Sequence, residues 1–491
     1  MLSNPSSRMM RVLFAAAEAD PIIKVGGLGD VTGSLPHALC ALEPEDALDY
    51  TMDIRLAIPY HAAIRSKIAN PELVASFSVP HPAGAIPAQA YQASINCLPV
   101  YLIDGEPISA EPGVYSQDAR KAGEKFTFFS LAILELARAL NWAPDVLHAH
   151  DWHAALAVYL LCANQSDTFF ANTHAVLTVH NLPFMGAGTQ EALADYGIPA
   201  AVDARLPAWA QTQPLPMGMA AADYLTTVSP TYAREILTPE FGSGLQDFLQ
   251  LRAGTLYGIL NGLDEDAWNP AADAALAQPF DARSLEKRAA NKKALLKEMD
   301  LPDLNVPLLV FVGRMDRQKG VDLAVDALRQ IADLPWQAIL LGTGDLGLQS
   351  AVLRLEAEFP LRVKAAVRFD AQLSRRMYAG GDMLLMPSRY EPCGLAQMIA
   401  MRYGCIPVAR ATGGLRDTIL DQQDAAGSTG FLFETAAPEA LAGVLRRALA
   451  AYTDREGWQA RMQCGMKQDF SWKRSAQSYA RLYHKLIVQP E

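Results

Sequence analysis

The strongest constraint on the fold is an alternation of short apolar runs with helix-length segments, which occurs twice along the 491 residues. In the first half, helices are predicted at Gly123–Leu140 and Trp152–Leu161. The predicted strands of this half are Val12–Ala16, Ile54–Ile58, Val100–Ile103, Val146–Ala149, Val176–Val179 and Tyr224–Val228. Strands that alternate with helices in this way form parallel sheets with helices on both faces.

The second half repeats this plan. Its apolar runs are "LLVFVGR", "WQAILLG", "VKAAVRF", "DMLLMP", "GCIPVA" and "GFLF". The predicted helices between them are Val321–Ile331, Leu346–Glu358, Leu373–Ala379 and Leu395–Tyr403. The turn-rich segment Asn261–Pro270 separates the halves, and the chain is too long for one ordinary core. The sequence therefore predicts an α/β protein with two doubly wound domains.

Composition excludes several classes of protein. The net charge is −11 without a basic run, so no nucleic-acid partner is expected. No stretch approaches about 20 apolar residues, so no membrane span is expected, and a strand explains Val12–Ala17 better than a signal peptide does. The cysteines contain no C-x-x-C pair, which argues against a zinc site or a disulfide framework and suits a reducing cytosol. They are Cys40, Cys97, Cys162, Cys393, Cys405 and Cys464.

A glycine cluster, "KVGGLGDV", follows the first predicted strand and opens a predicted helix at Val31–Leu42. Backbone N–H groups at a helix start bind anions, and Lys24 adds a positive charge there. Neither a G-x-G-x-x-G fingerprint nor a Walker A sequence is present, which disfavours a dinucleotide or a kinase-type phosphate loop. A tight turn beside a solvated lysine explains the same residues equally well.

Histidines and a carboxylate follow two later strands. In "DVLHAHDWHA", alternation places His148 and His150 on one face of the sheet and brings Asp151 and Trp152 to the following loop, where a carboxylate and an aromatic ring can meet a sugar. "LTVHNL" runs into His180 and Asn181. No H-E-x-x-H spacing is present, so no metal is predicted. Each histidine could also be a structural residue bonded within the core.

Two cations and a glutamate follow strands of the second half. In "VFVGRMDRQKG", Arg314 follows a strand and Lys319 precedes the next helix, so both could clamp one diphosphate. Solvated surface charges are the alternative. In "MPSRYEPCGLAQMIAM", Glu391 lies in a turn before the helix that starts at Gly394–Leu395. If the strand ends of the two domains converge on a cleft between them, this carboxylate would face the same cleft as the two cations. "ATGGLRDT" again places glycines at a helix start.

Taken together, these segments resemble the motif set of bacterial glycogen synthases and plant starch synthases. They occur in family order from Lys24 to Trp472: "KVGGLGDV", "HAHDWHA", "TVHNL", "VSPTYAREI", "LNGLDEDAWNP", "VGRMDRQKG", "GTGD", "PSRYEPCGLAQ", "TGGLRDT" and "DFSW". The resemblance implies a glycosyltransferase B-type fold, with two Rossmann-like domains facing a central cleft. The domains would be residues 1–260, completed by a C-terminal helix at 467–491, and residues 261–466.

The resemblance also implies an activity. A cytoplasmic enzyme of this family transfers glucose from ADP-glucose to the non-reducing end of an α-1,4-glucan such as glycogen, with retention of configuration and without metal or cofactor. Glu391, Arg314, Lys319, His180 and Asp151 would be its catalytic residues. Its substrate-binding residues would be Lys24, Gly26, Gly27, Asp30, Trp152, Asn181, Asn261, Phe369, Gly394, Leu395, Thr412, Gly413 and Gly414.

Individual roles follow from the same resemblance. Lys24 with the Gly26–Gly27 backbone would meet the donor, and Arg314 with Lys319 would hold its diphosphate. Glu391 would bind the donor glucose hydroxyls, with His180 at the same sugar. Asp151 and Trp152 would lie beside the sugar and the acceptor, Asn261 would line the donor pocket, and Phe369, at the end of its strand, would meet adenine.

Three positions depart from related sequences. Val25 and Ala396 stand where many relatives have threonine, and Ile399 stands where sucrose-type synthases carry a second glutamate. The alternatives are a related transferase that uses UDP-glucose or a short maltodextrin, and a non-catalytic glucan-binding protein. A binding protein needs no residues that hold a leaving group. The presence of Lys24, Arg314, Lys319 and Glu391 therefore argues against this second alternative. The missing fingerprint disfavours an NAD oxidoreductase.

Overall fold

A computed structural model describes residues 8–68, 70–95, 98–163, 167–422, 424 and 427–488. The chain divides into two compact units. The N-terminal unit holds the described residues up to Gly262 and those from Trp472 onward, and the C-terminal unit is Leu263–Ser471. The boundaries from the sequence are 260/261 and 466/467.

The N-terminal unit is built on a nine-stranded sheet, counted over its described residues. The strands are β1 Arg8–Ala15, β2 Tyr50–Pro59, β3 Glu72–Val79, β4 Ile86–Ile95, β5 Leu98–Gly105, β6 Val146–His150, β7 His174–Val179, β8 Tyr224–Thr227 and β9 Leu256–Gly258. The helices are α1 Gly27–Cys40, α2 Ala62–Arg65, α3 Glu106–Ser109, α4 Ala119–Ala139, α5 Trp152–Ala163, α6 Gln190–Asp195, α7 Pro214–Ala221, α8 Pro230–Glu235 and α9 Gln246–Leu251.

Six strands of this sheet confirm the predicted apolar runs, and their pairing is parallel, in the order β5-β2-β1-β6-β7-β8. The short strand β9, which was not predicted, pairs in parallel with β8. The antiparallel edge β3-β4-β5 was not predicted. The residues of β3 and β4 are mostly exposed or half-buried, so they lack the continuous apolar run that marks a central parallel strand. Short apolar runs in the sequence therefore predict strands that are covered on both faces, but they do not predict partly exposed strands at the edge of the sheet.

Alternate residues of the central strands feed two cores, one on each face of the sheet. Leu13 and Ala15 of β1 belong to one core, and Val12 and Phe14 belong to the other. This alternation follows from the two-residue period of a strand. Fully burying side chains of this kind stabilises the unit by about 1.5–3 kcal/mol for each large apolar residue.

The C-terminal unit contains a six-stranded sheet, over its described residues, in the order β12-β11-β10-β13-β14-β15, and every pairing is parallel. The strands are β10 Leu308–Val312, β11 Gln337–Leu341, β12 Val363–Ala366, β13 Met383–Met386, β14 Ile406–Arg410 and β15 Phe431–Phe433. The helices are α10 Arg288–Glu298, α11 Val321–Gln330, α12 Leu346–Glu358, α13 Ala371–Gly380, α14 Ala396–Arg402, α15 Gly413–Thr418, α16 Pro438–Ala451 and α17 Arg455–Met466.

The last helix, α18, spans Trp472–Val488 and packs on the N-terminal unit. Its buried side chains Trp472, Ala476, Tyr479 and Tyr483 join the core that contains Phe14. The Tyr483 hydroxyl lies 2.7 Å from His148 Nδ1 on β6. The helix was predicted over 467–491; it begins later than that, and residues 489–491 lie outside the described residues.

Two further predictions need correction. Helix α1 begins at Gly27, with Gly26 as its N-cap, and not at Val31, so the glycine cluster forms the first turn of the helix. Strand β12 ends at Ala366, so Phe369 does not end a strand but lies in the connection to α13, where it is 89% exposed. The prediction was too long because the apolar residues Val367 and Phe369 continue the pattern after the last strand hydrogen bond.

Candidate active site

In the C-terminal unit, the polar residues predicted to be functional follow the carboxyl ends of parallel strands, where ligands of open α/β sheets bind. Arg314 comes after β10, Glu391 after β13, and Thr412 with Gly413 after β14. Because β10, β13 and β14 are neighbours in the sheet, these residues share one edge of it.

The structure brings Lys319 and Glu391 together. Lys319 Nζ lies 2.6 Å from Oε2 and 2.8 Å from Oε1 of Glu391, and the Ser388 hydroxyl donates to Oε2 at 2.9 Å. Glu391 is only 5% exposed. A carboxylate taken this far out of water is costly unless it is paired, and Lys319 supplies the pairing charge.

The turn that carries Lys319 depends on a glycine. Gly320 has φ of 68°, and a Cβ there would lie 2.1 Å from the Pro387 carbonyl oxygen. The Lys319 N–H donates to Asp316 Oδ1 at 2.9 Å, which closes the turn before α11. The backbone therefore passes directly against the end of β13, which places Lys319 within reach of Glu391.

The "TGG" segment supports the glutamate from the next strand. The Gly414 N–H donates to the Glu391 carbonyl oxygen at 3.1 Å. Gly413 has φ of 46°, and a Cβ there would lie 2.0 Å from the same oxygen. These glycines thus let two loops pack backbone to backbone, which is a positioning role that the sequence did not indicate. Gly394 and Leu395 directly precede α14, which begins at Ala396.

Arg314 is placed differently from Lys319. Its guanidinium contacts Asp316 at 2.5 Å and Gln318 Oε1 at 2.9 Å, and its side chain is 60% exposed. The sequence predicted that both cations serve one spot. In the structure each cation has its own carboxylate partner, so a shared diphosphate remains a prediction.

In the N-terminal unit, the glycine cluster rests on a buried carboxylate that sequence reasoning missed. Glu18 follows β1 and accepts hydrogen bonds from the N–H groups of Val25 and Gly26 and from the Tyr115 hydroxyl, the last at 2.8 Å. Burial raises the pKa of Glu18, and these three donors oppose the rise. The acidic residues of "EAD", shortly after the first strand, were the signal in the sequence that could have identified this carboxylate.

This arrangement changes the expected anion site. The Gly26 N–H already serves Glu18, whereas a Cβ at Gly27 would meet no atom within 4 Å, so the backbone is open there. Lys24 Nζ lies 2.5 Å from Asp30 and 3.4 Å from Asp20. Burial lowers the pKa of Lys24, but Asp30 and Asp20 outweigh it and the pKa is raised, so the lysine stays charged.

Asp151 holds the loop that follows β7. It has φ of 55°, and its Oδ1 accepts the His180 N–H at 2.7 Å, while the Asn181 N–H also donates to the carboxylate. Burial raises the pKa of Asp151 to about 7, against these two donors. The structure therefore joins three predicted site residues, with Asp151 fixing the backbone of the other two.

Trp152 begins α5 and lines a cavity of about 270 Å³. The rest of its lining includes Ser116, Gln117, Phe184, Met185, Gly186 and Thr189. Phe184 is 57% exposed. An aromatic wall with hydroxyl and amide groups suits a sugar. The sequence reasoning missed the segment "PFMGAG" after Asn181, which pairs an aromatic residue with glycines at a strand end.

Several other features considered from the sequence can be located in the structure. Asn261 is buried at the end of the N-terminal unit's first segment. No cluster of three metal-ligating side chains occurs in the part of the chain that the structure describes. None of the helices in those same residues combines the length and apolarity that crossing a bilayer takes. Five cysteines are free, and Cys97 lies outside the described residues.

Comparison with known families gives two matches. Residues 11–251 match a starch synthase catalytic domain, and residues 306–451 match the glycosyl transferases group 1. The first match lies in the N-terminal unit and the second in the C-terminal unit, and together they contain all the predicted catalytic residues.

Individual proteins are similar over nearly the whole chain. A glycogen synthase of Syntrophotalea carbinolica is 38% identical over 97% of this chain and 99% of its own length. A glycogen synthase of Anaeromyxobacter dehalogenans is 40% identical over 97% of this chain and 99% of its own length. The solved catalytic domain of starch synthase IV from Arabidopsis thaliana, bound to ADP and acarbose, has a TM-score of 0.86 and 31% identity, and covers 98% of this chain and 100% of its own.

Proposed function

The chain belongs to the family of glycogen and starch synthases, and we propose that it transfers glucose from ADP-glucose to the non-reducing end of an α-1,4-glucan, with retention of configuration. The family predicted from the ten motifs is confirmed, and so is the fold class, the glycosyltransferase B type with two Rossmann-like domains. The donor, the acceptor end and the stereochemistry are the proposal.

The ion pair between Lys319 and Glu391 carries this proposal. A carboxylate that is held rigidly by a lysine and by Ser388 can accept hydrogen bonds from the hydroxyls of a donor glucose. When the bond between the anomeric carbon and the diphosphate breaks, positive charge grows on the sugar and negative charge grows on the leaving group. Glu391 would stabilise the first charge and Lys319 the second, and both act more strongly in the transition state than in the ground state.

Arg314 would complete the leaving-group side. Its guanidinium is exposed at the same sheet edge and presents a planar fork of donors that matches phosphate oxygens. A bound diphosphate would compete with Asp316 for it. We therefore assign Arg314 to donor binding. Because the arginine is already paired with Asp316, it would exchange this carboxylate for the phosphate oxygens of the donor.

The nucleotide and the acceptor have separate support. ADP is bound in the solved starch synthase relative, and the exposed ring of Phe369 offers a face on which adenine could stack. For the acceptor, the cavity beside Trp152 provides aromatic walls and hydroxyl groups of the kind that bind sugars. The cytoplasmic location and the absence of a cofactor remain predictions from the sequence.

The test is a transfer assay on the purified protein with glycogen and either ADP-glucose or UDP-glucose, with release of ADP or UDP as the readout. We expect ADP release that depends on glycogen. Glu391→Gln should lower turnover by about 10² or more, the scale of losing one electrostatic stabiliser. Glu358→Gln is the matched control, because Glu358 pairs with Arg329 at 2.7 Å on an exposed helix.

Other outcomes would redirect the proposal. Faster turnover with UDP-glucose, or with a short maltodextrin than with glycogen, would identify the related transferase considered from the sequence. No transfer from either donor, together with tight glucan binding, would identify a binding protein. A Glu391→Gln variant with wild-type turnover would remove the glutamate from the catalytic set.

A further inference from the structure

Three histidine rings form a continuous stack in the N-terminal unit, beside Asp151. The ring centroids of His148 and His150 are 4.4 Å apart, and those of His150 and His180 are 5.2 Å apart. His148 and His150 are fully buried, while His180 is half-buried. His150 therefore connects the interior of the unit to the histidine expected at the sugar.

The contact between His150 and His180 is a hydrogen bond with a direction. His150 Nδ1 and His180 Nε2 are 2.9 Å apart. Burial lowers the pKa of His180 to about 3 and lowers that of His150 as well, so both rings are neutral near neutral pH. Two neutral imidazoles can share this contact only if one nitrogen carries the proton and the other accepts it.

The other nitrogen of His150 decides which ring donates. His150 Nε2 is buried and has no hydrogen-bond partner among the described residues. If His150 accepted at Nδ1, its proton would sit on Nε2 as a buried donor without an acceptor, and such orphaned donors are rarer than unused acceptors. The favoured alternative leaves Nε2 of His150 unprotonated and places the proton on Nδ1. His150 is therefore the donor.

We propose that His150 is a positioning residue that holds His180 in the Nδ1–H tautomer. Because His180 accepts at Nε2, its own proton must lie on Nδ1. His180 then presents a fixed N–H donor rather than an acceptor, and a sugar hydroxyl oxygen can accept from it. Asp151 orients the His180 backbone through the N–H contact of 2.7 Å, and His150 independently fixes the ring. The sugar as recipient rests on the proposed function, but the tautomer rests on the geometry.

The direct test is the ¹⁵N spectrum of the histidine side chains in the full-length protein, with His180 assigned by the loss of its signals in His180→Gln. We expect a protonated Nδ1 and an unprotonated Nε2 at His180. His150→Phe keeps the ring volume but removes the donor, so the unprotonated Nε2 of His180 should lose the chemical shift of a hydrogen-bond acceptor, and the ring should no longer be held in place. His150→Asn retains an N–H near the Nδ1 position and should preserve the wild-type form.

The kinetic test uses the same variants. His150→Phe should lower kcat by about tenfold, the equivalent of one hydrogen bond, with little change in the donor KM, and His150→Asn should restore most of the loss. His148→Asn is the matched control, since His148 lies in the same stack but bonds to Tyr483 and Thr178. It should leave the His180 tautomer unchanged.

Two results would overturn this inference: a protonated Nε2 at His180 in the wild-type protein, or a His150→Phe variant in which both the Nε2 chemical shift of His180 and kcat keep their wild-type values. If the expected tautomer is present but no nucleotide sugar is turned over, the proposed function fails while the assignment of His150 stands.

Discussion

Lys319 Nζ lies 2.6 Å from the Glu391 carboxylate across the gap between the turn before α11 and the end of β13. The glutamate side chain is almost fully buried, whereas the lysine retains a partial exposure to water. Breaking the pair therefore affects the two residues differently, because only the glutamate would be left as a charge without either a partner or solvent.

Loss of the lysine should therefore cost more stability than loss of the glutamate charge. Lys319→Met leaves a buried carboxylate unpaired, and we expect the free energy of unfolding to fall by about 3 kcal/mol. Adding Glu391→Gln should recover part of this loss, so the double variant should be more stable than the sum of the single effects predicts. Urea denaturation measures all three variants. Arg314→Met is the control, with a loss below about 1 kcal/mol because that pair is exposed. Strict additivity would contradict the pairing.

The turn before α11 gives a second prediction, on Gly320→Ala. Its φ of 68° disfavours a side chain, and its Cβ would meet the Pro387 carbonyl oxygen at 2.1 Å. We expect a loss of about 1–3 kcal/mol in thermal or urea unfolding, together with a drop in transfer activity, because Lys319 would be displaced from Glu391. Gly443→Ala is the matched control within α16, where a Cβ meets nothing within 4 Å, and it should stabilise the protein by about 0.5–1 kcal/mol. Equal effects at both glycines would refute the close approach.

The raised pKa of Asp151 predicts a pH dependence of stability. The folded protein holds a proton on this carboxyl up to a pKa of about 7, whereas the unfolded chain releases it near its ordinary value of about 3.9. Between these values the folded state binds the extra proton, so the contribution of Asp151 to stability falls as pH rises and is lost above pH 7 or so.

Asp151→Asn removes this titration. Its stability relative to the wild type should therefore improve as pH rises from about 5 to about 7 and level off by about pH 8, when urea unfolding is compared at successive pH values. The exposed substitution Asp266→Asn controls for general loss of a carboxylate. A difference between Asp151→Asn and the wild type that stays constant over this range would show that Asp151 is ionised throughout.

Glu18 should determine the order of the glycine cluster. In Glu18→Gln the amide nitrogen cannot accept from the N–H groups of Val25 and Gly26, so at least one buried donor loses its acceptor, at a cost of about 1–3 kcal/mol. Hydrogen exchange of residues 24–30 should become faster. Tyr115→Phe removes only the hydroxyl contact and should have a smaller effect. Unchanged exchange in Glu18→Gln would mean that the turn holds its shape without this carboxylate.

The pattern of apolar runs was enough to predict the elements that are buried on both faces and the order in which they occur. Strands β10 and β13, and the second half of β1, are continuous apolar runs, and the residues that follow them, including Arg314 and Glu391, could be located without coordinates. This works because a central parallel strand must be apolar on both faces and because its ligand-binding edge is always the carboxyl end. The edge strands β3 and β4 escaped prediction because they are only partly buried.

The contacts between those residues could not be predicted, because they depend on how the chain packs. Lys319 and Glu391 are far apart in sequence, and Glu18 reaches the glycine cluster because a tight turn follows β1 and brings the loop back over it. The direction of the hydrogen bond between His150 and His180 depends on a nitrogen that finds no partner in its surroundings. Sequence patterns report the local period of burial, whereas charge pairing and proton placement depend on distances of 3 Å or so between residues that packing alone brings together.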